Sequence, residues 1–185
     1  MNPQLWWFVS RSSGIIASIL LSLSVCWGLF VSTKAIAKAT TPARVLDLHR
    51  FIGGMSVLFV GVHLAGLVAD KYVYFGWREL FVPFASKWKP QPVAWGIAAF
   101  YLLITVELTS LLMRKLPRRI WLALHRLSFP LWVMATYHGL TAGTDHLNNW
   151  YRLLTMAAIS IIAFLTVLLV MAKRKATLEA AGVPA

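Results

Sequence analysis

Histidine is the residue type whose spacing in this chain points to chemistry. His49 and His63 stand at positions i and i+14 of one apolar stretch, and His125 and His138 at i and i+13 of another. At about 1.5 Å rise per helical residue, the members of each pair are separated by roughly 20 Å along a helix axis. A hydrocarbon core of about 30 Å would hold two such layers, one towards each face. Because neutral imidazole is a common axial ligand of haem iron, the pattern predicts two haem layers between two helices.

The composition indicates an integral membrane protein. Apolar residues make up 59% of the 185 residues, and the mean hydropathy is +0.70, which is far above globular usage. The net charge of +12 would suit a nucleic-acid-binding protein, but the 18 Lys and Arg lie mainly between apolar runs. We therefore expect basic membrane loops and no nucleic-acid partner. Cys26 is the only cysteine, which excludes internal disulfides and clusters of cysteine ligands and leaves histidine as the expected metal ligand.

Five apolar runs are long enough to cross a membrane, so we predict an all-α bundle of five transmembrane helices. The predicted helices cover about residues 11–33, 45–69, 93–113, 119–140 and 152–172. Together they form one membrane domain over residues 1–172. The first run is too long for a signal-peptide core and has no cationic leader. Residues 173–185 begin with three basic residues and show no apolar period, so we expect a disordered tail.

The histidine-containing segments resemble the transmembrane domain of the ferric reductase and NADPH oxidase superfamily. The resemblance is carried by LHR opening the second helix, LHRLS opening the fourth, and the spacings of 14 and 13, and it extends over about residues 11–172. It implies two haems b held between helices 2 and 4 and electron transfer across the membrane. The five predicted spans are one fewer than this family usually has. We expect no flavin or nicotinamide domain within these 185 residues.

The distribution of positive charge predicts the orientation in the plasma (inner) membrane. On the five-helix topology, 12 of the Lys and Arg fall on one side and six on the other. This places the amino terminus outside and the carboxyl terminus in the cytoplasm. His49 and His125 then lie near the inner face, and His63 and His138 near the outer face. Each iron would receive one histidine from each helix and keep no free position, which suits electron transfer better than oxygen binding. The alternative role for each histidine is a hydrogen bond between helices.

The i, i+13 spacing does not fit a straight helix. A step of i to i+14 returns to within about 40° of the starting direction, whereas a step of i to i+13 misses it by about 140°. Pro130 lies between His125 and His138 and removes a helical hydrogen bond. We therefore expect a kink or local rewinding that re-aims the second histidine.

Three further residues are candidates for haem contacts. Arg50 and Arg126 directly follow the inner histidines and could pair with haem propionates, or they could only mark the cytoplasmic side. Trp132 falls midway between His125 and His138. Its ring could lie between the haems as an electron relay, or it could face lipid or pack against neighbouring helices.

Glu107 is the only acidic residue well inside an apolar span. It could pair with a basic helix end, contact a donor near a haem, or transfer protons. His146, beside Asp145 in the outer loop, could be a metal ligand or a solvated side chain. The two histidine helices contain glycines that suit close approach of a flat macrocycle and tight helix packing equally. These glycines are Gly53, Gly54, Gly61, Gly66 and Gly139.

The sequence thus predicts a membrane b-type cytochrome, an oxidoreductase component that passes electrons outward through the inner and then the outer haem. No GxGxxG motif follows a strand and no P-loop is present, so a separate flavoprotein or a membrane quinol is the expected donor. The external acceptor could be a ferric chelate, oxygen or a partner protein. One alternative is a haem-binding subunit of a larger respiratory or periplasmic reductase complex. A second alternative is a haem-free membrane scaffold or transporter.

Overall fold

The computed structural model describes residues 4–33, 42–70, 73 and 75–181. Within these residues the chain forms helices and no strands. The helices are α1 Leu5–Thr33, α2 Pro42–Ala69, α3 Trp77–Phe81, α4 Pro90–Leu111, α5 Arg118–His125, α6 Ser128–Ala142 and α7 Asn149–Ala180. A short 3₁₀ turn, Asp145–Leu147, precedes α7.

In the described part of the chain, four helices are long and apolar enough to cross a membrane. These spans are Leu5–Ser32, Ala43–Ala69, Pro90–Leu111 and Asn149–Ala180. They correspond to the first, second, third and fifth predicted helices, with ends that differ by several residues. Large apolar side chains on them point outward, such as Phe164 of α7 at 62% exposure, as a lipid-facing surface requires. The predicted all-α membrane class is confirmed.

The fourth predicted helix, residues 119–140, is divided between α5 and α6 at residues 126–127. Pro130 has no N–H to donate to the carbonyl of Arg126, and its ring crowds that carbonyl. The N–H of Phe129 bonds to the Arg126 carbonyl instead, at 3.2 Å, and the N–H of Leu127 bonds to Leu124, at 3.0 Å. Both bonds reach back three residues, so the chain is tightened here into 3₁₀-like turns. The expected rewinding near Pro130 is therefore present.

This tightened segment changes the direction of the second histidine. A residue in a 3₁₀ turn rotates the chain by about 120°, compared with about 100° in an α-helix. Each residue in such a turn would therefore add about 20° towards the roughly 140° that a regular i, i+13 spacing lacks.

The two long histidine helices, α2 and α6, each pack along an antiparallel neighbour. Helix α1 packs along α2, and α4 packs along α6. Near the end of α1, the indole N–H of Trp27 donates to the Val45 carbonyl at the start of α2, at 2.9 Å. At the opposite end of this pair, Gly66 lies so close to Ser10 that a Cβ on the glycine would be 2.8 Å from the backbone nitrogen of Ser10. The small residue thus permits close helix contact.

The interior contains three clusters of buried side chains. One joins α1, α6 and α7 around Val25 and Leu29. A second joins α2, α4 and the segment containing α3, where Leu80 is buried. The third lies between α4 and α6 around Leu103 and Leu131, and Leu131 is only 2% exposed. Together these clusters fix the rotation of the helices that carry the histidines.

Two regions differ from the sequence predictions. The stretch between the second and third predicted helices, residues 70–92, contains α3, whose Leu80 packs against α4. The tail predicted to be disordered from residue 173 continues α7 as far as Ala180. An ion pair one helical turn apart, Lys175 with Glu179 at 3.8 Å, supports this extension.

Candidate functional site

The four histidines of α2, α5 and α6 meet as two pairs. The ring centroids of His49 and His125 are 5.9 Å apart, with 74° between the ring planes. Those of His63 and His138 are 6.4 Å apart, with 78° between the planes. The predicted partners therefore face each other across two helices, one pair towards each end of the bundle.

The separations suit a metal atom between the rings. A metal at about 2 Å from one nitrogen of each ring would separate the centroids by roughly 6 Å. Edge-to-face packing of two aromatic rings covers a similar range, about 4.5–7 Å. The partners of the other ring nitrogens therefore decide between the two interpretations.

The Nδ1 atoms of the His63–His138 pair face backbone carbonyls of neighbouring helices. Nδ1 of His63 lies 2.8 Å from the Ser10 carbonyl oxygen and 3.2 Å from its hydroxyl. Nδ1 of His138 lies 2.9 Å from the Pro92 carbonyl oxygen. A carbonyl only accepts, so Nδ1 carries the proton in both rings. The lone pair is then on Nε2, the arrangement typical of metal-binding histidine.

The His49–His125 pair has weaker partners. Nδ1 of His125 lies 3.3 Å from the Ser110 hydroxyl, and the ring stacks on Trp121 with centroids 5.3 Å apart. The imidazole of His49 faces the Ser24 backbone, but its Nδ1 makes no hydrogen bond of ordinary geometry to a described residue. The indole N–H of Trp121 is also buried without a partner among the described residues. Buried polar atoms in proteins are almost always hydrogen-bonded. These two unpaired atoms therefore indicate that a further polar group belongs at the His49–His125 pair.

A cavity of about 280 Å³ adjoins the His63–His138 pair. Its walls are mainly apolar and come from α1, α2, α4 and α6, with Leu21, Leu103 and Leu131 among them. Polar groups gather around Ser10 and Asp145. An apolar cavity with a few convergent polar groups is the usual form of a cofactor site.

The donor set fits haem better than a bare metal ion. Among the described residues, no group of three or more His, Cys, Asp or Glu could hold a metal ion. Each histidine pair offers two nitrogens, whereas zinc in proteins is usually bound by three or four protein ligands. A porphyrin supplies four equatorial nitrogens of its own, so two axial histidines complete it. The residues present therefore fit haem at both pairs.

The two arginines predicted to contact propionates lie at the His49–His125 end. Arg50 is exposed, with its guanidinium 3.9 Å from Asp47 and 3.5 Å from the sulfur of Met113. Arg126 is exposed at the end of α5. Both side chains therefore lie at the His49–His125 end of the bundle.

Trp132 lies on the side of α6 that faces α1 and α7. It is 8% exposed, packs with Val25 and Ile162, and donates its indole N–H to the Ser22 hydroxyl at 2.9 Å. The buried residue on the side of α6 towards α2 and α4 is Leu131. This placement favours the packing role of Trp132 over the relay.

Glu107 of α4 points towards α2, where its carboxylate contacts Gly53 closely enough to exclude a Cβ there. No hydrogen bond or ion pair joins Glu107 to another described residue. Gly54 and Gly61 have open space in front of them. The side chain of His146 lies outside the part of the chain that the structure describes.

The contributions of α1 and α4 to the site were not predicted from the sequence. The glycines nearest the histidines are Gly14, Gly28 and Gly96, which lie on these helices and not on those that carry the histidines. A signal was available on α1, because Ser10 with Gly14 and Ser24 with Gly28 repeat at the i, i+14 spacing of the histidines on α2. The ion pair between Arg11 and Asp145 was also not predicted.

Comparison with known proteins shows the family to which this chain belongs. The family described as "Ferric reductase like transmembrane component" matches residues 13–136, a stretch that includes three of the four paired histidines. The protein-methionine-sulfoxide reductase heme-binding subunit MsrQ of Rhodospirillum rubrum is 30% identical over 122 residues, which cover 60% of this chain and 55% of that relative. The chain therefore spans about half the length of this curated relative. No solved structure matches the chain at a significant level. With a family match over most of its length, the chain belongs to the ferric reductase-like transmembrane family.

Proposed function

We propose that this protein is a membrane b-type cytochrome that transfers electrons across the membrane through two haems. The observation that best supports the proposal is the cross-helix pairing of four histidines, with centroids 5.9 and 6.4 Å apart. Two of these rings have Nδ1 bonded to a backbone carbonyl, which leaves Nε2 available to a metal.

In this proposal each histidine pair holds one haem iron. His49 with His125 would ligate the first and His63 with His138 the second. Haem supplies a one-electron carrier whose iron alternates between the ferric and ferrous states. With both imidazoles of a pair bound to the iron, neither substrate nor oxygen would have a place on it. The histidines would thus restrict the site to electron transfer, and the apolar walls would keep water from it.

The direction of transfer in this proposal is outward. The excess of basic residues on the His49–His125 side favours a cytoplasmic location for that end. The fifth crossing would be made by α5 and α6 together. Arg114, Lys115, Arg118 and Arg119 are exposed there and would form a docking surface for a separate flavoprotein. On the five-helix topology Lys34 and Lys38 fall on the same side, but they lie outside the described residues. A membrane quinol is the alternative donor.

The acceptor would lie at the His63–His138 end. The name of the Rhodospirillum rubrum relative supports a second form of the proposal, in which the chain is the haem-binding subunit of a reductase and its acceptor is a partner protein. In the first form of the proposal, the chain itself reduces ferric chelate or oxygen. Both forms require haem, so both differ from the alternative of a haem-free scaffold.

Haem analysis of the purified protein tests the proposal. We expect two haems b per chain and a reduced-minus-oxidised spectrum with the α-band of low-spin, six-coordinate haem. A folded preparation that contains no haem would favour the scaffold. Turnover of ferric chelate by the isolated protein with reduced flavin would support independent activity. Reduction of the haems without such turnover would support the subunit form.

A further inference from the structure

Three of the four paired histidines face the same local feature of a neighbouring helix, a backbone carbonyl followed four residues later by glycine. We call these the carbonyl–glycine pairs. They are Ser10 with Gly14 facing His63, Ser24 with Gly28 facing His49, and Pro92 with Gly96 facing His138. In an α-helix the carbonyl of residue i lies beside the N–H of residue i+4. An imidazole that donates to this carbonyl must therefore lie against residue i+4.

The space at each glycine shows how strictly a side chain is excluded. A Cβ on Gly96 would lie 2.6 Å from Nδ1 of His138, and one on Gly14 would lie 3.0 Å from Nδ1 of His63. A Cβ on Gly28 would lie 3.5 Å from Cε1 of His49, which is an ordinary contact distance. The requirement for glycine thus decreases from Gly96 to Gly14 to Gly28.

The hydrogen bonds separate the same two tight positions from the loose one. The two tight positions belong to the rings that bond a carbonyl, at 2.9 Å for His138 and 2.8 Å for His63. The loose position belongs to His49, whose Nδ1 makes no ordinary hydrogen bond to a described residue. The histidine rings that lie closest to a glycine are therefore the ones that hydrogen-bond to the backbone carbonyl four residues before it.

The spacing on α1 matches that on α2. Gly14 and Gly28 have the same i, i+14 relationship as the two histidines that they face. Because a step of this length nearly restores the direction of a helix, both glycines point to the same side of α1. The antiparallel packing of α1 on α2 then brings one carbonyl–glycine pair to each histidine.

Resting on the function proposed above, we propose that Gly14 and Gly96 are positioning residues for the haem held by His63 and His138. The missing side chains let each imidazole donate its Nδ1–H to the carbonyl four residues earlier. This bond fixes the tautomer, directs Nε2 to the iron, and holds the two ring planes 78° apart. Gly28 has the same location at the other pair but does not restrict it.

Alanine substitutions test this inference, with haem content and the EPR spectrum of the oxidised protein as readouts. Perpendicular axial imidazole planes give a strongly axial low-spin signal, whereas planes rotated towards parallel give a rhombic one. We expect Gly96→Ala to reduce the haem content from two to about one per chain. Gly14→Ala should retain more haem but shift one of the two EPR signals towards rhombic. Gly28→Ala should change neither readout.

Gly61→Ala is the matched control, because Gly61 lies in the same bundle with open space before it. Unchanged haem content and EPR signals in both Gly96→Ala and Gly14→Ala, with two haems in the unmodified protein, would overturn the positioning role. Absence of haem from the unmodified protein would instead overturn the proposed function. Should Gly96→Ala fail to accumulate in membranes, the milder Gly14→Ala decides in the same way.

Discussion

The guanidinium of Arg11 donates two hydrogen bonds to the carboxylate of Asp145 and so joins the start of α1 to the turn before α7. The Asp145 side chain is only 5% exposed and also accepts from the Asn148 amide at 2.7 Å. The hydrogen bond from Arg11 is the main reason that the pKa of Asp145 lies below its usual value of 3.8. Both residues lie at the cavity beside His63 and His138, so this ion pair fixes that end of the bundle.

We predict that Asp145→Asn lowers the stability of the protein by about 1.5–3 kcal/mol at neutral pH, because it removes hydrogen bonds to a charged group. The folded-state pKa of Asp145 is depressed, so its contribution is complete well above pH 3.8 and decreases as pH falls below that value. Thermal unfolding in detergent should therefore show a constant difference between the two proteins from pH 8 to pH 5. The difference should shrink only at lower pH.

The control for this prediction is Asp47→Asn. Asp47 pairs with Arg50 at 3.9 Å, and both side chains are about half or more exposed. Such a surface pair contributes little, so the variant should unfold like the unmodified protein. Equal unfolding temperatures for Asp145→Asn and Asp47→Asn would contradict the structural role of the Arg11–Asp145 pair.

The pairing of histidines could be predicted because it depends only on spacing and topology. His49 and His63 need one regular helix to share a face, and two spans in the same direction bring equivalent layers together. The partners of Nδ1 could not be predicted. They depend on which faces of α1 and α4 contact the histidine helices, and a glycine in an apolar span fits lipid, macrocycle or helix contact equally well.

Local geometry explains the other differences. The break near Pro130 was expected, but the rotation it produces was not, so the sequence could not tell which of Leu131 and Trp132 faces α2. The tail was predicted to be disordered because it lacks an apolar period. Its alanine, lysine and glutamate residues favour helix, and α7 provides the nucleus, so propagation as far as Ala180 has little cost.

We predict that variants within one histidine pair have the same spectrum. His63→Ala and His138→Ala should each lose one haem, and the remaining haem should be identical in the two proteins. His49→Ala and His125→Ala should each retain the opposite haem. His146→Ala, the fifth histidine, is the control and should keep both. Different residual spectra within a pair would show that its members do not share an iron.

We predict that Trp132→Phe affects stability and not electron transfer. The indole N–H of Trp132 donates to Ser22, and loss of this bond should lower stability by about 0.5–1.5 kcal/mol. The rate of electron transfer between the haems should stay within twofold, as measured by flash-induced absorbance changes. Trp95→Phe, at a position that is 38% exposed, is the control for stability. A tenfold slower rate in Trp132→Phe with both haems present would instead support a role of Trp132 as an electron relay.

We predict that the turn before α7 is external and the end of α7 cytoplasmic. Asp145 is held by Arg11, so single cysteines belong at Leu147, which is 77% exposed, and at Glu179, in a protein with Cys26 replaced. An impermeant thiol reagent added to intact cells should label position 147 and should label position 179 only after lysis. The reverse pattern would invert the membrane orientation and the direction of transfer.

We predict that an acidic electron donor docks on the basic surface at the His49–His125 end. Arg118 and Arg119 begin α5 and are both exposed. Glutamate is favourable in the first turn of a helix, so Arg118→Glu with Arg119→Glu should preserve α5. If an acidic flavoprotein docks here, haem reduction by that donor should slow severalfold in the double variant. The difference should decrease as salt is raised, because salt screens the attraction between exposed charges.

Arg152→Glu is the matched control for the double variant, because Arg152 is an exposed arginine at the opposite end of the bundle. It should leave the rate of haem reduction unchanged at all salt concentrations. Labelling at position 147 must first show that both proteins keep their orientation, since arginine also determines topology. Equal reduction rates at low salt in the double variant and the unmodified protein would exclude electrostatic docking at this surface. Basic residues there would then serve orientation and contact with anionic lipid, and a quinol within the membrane would become the preferred donor.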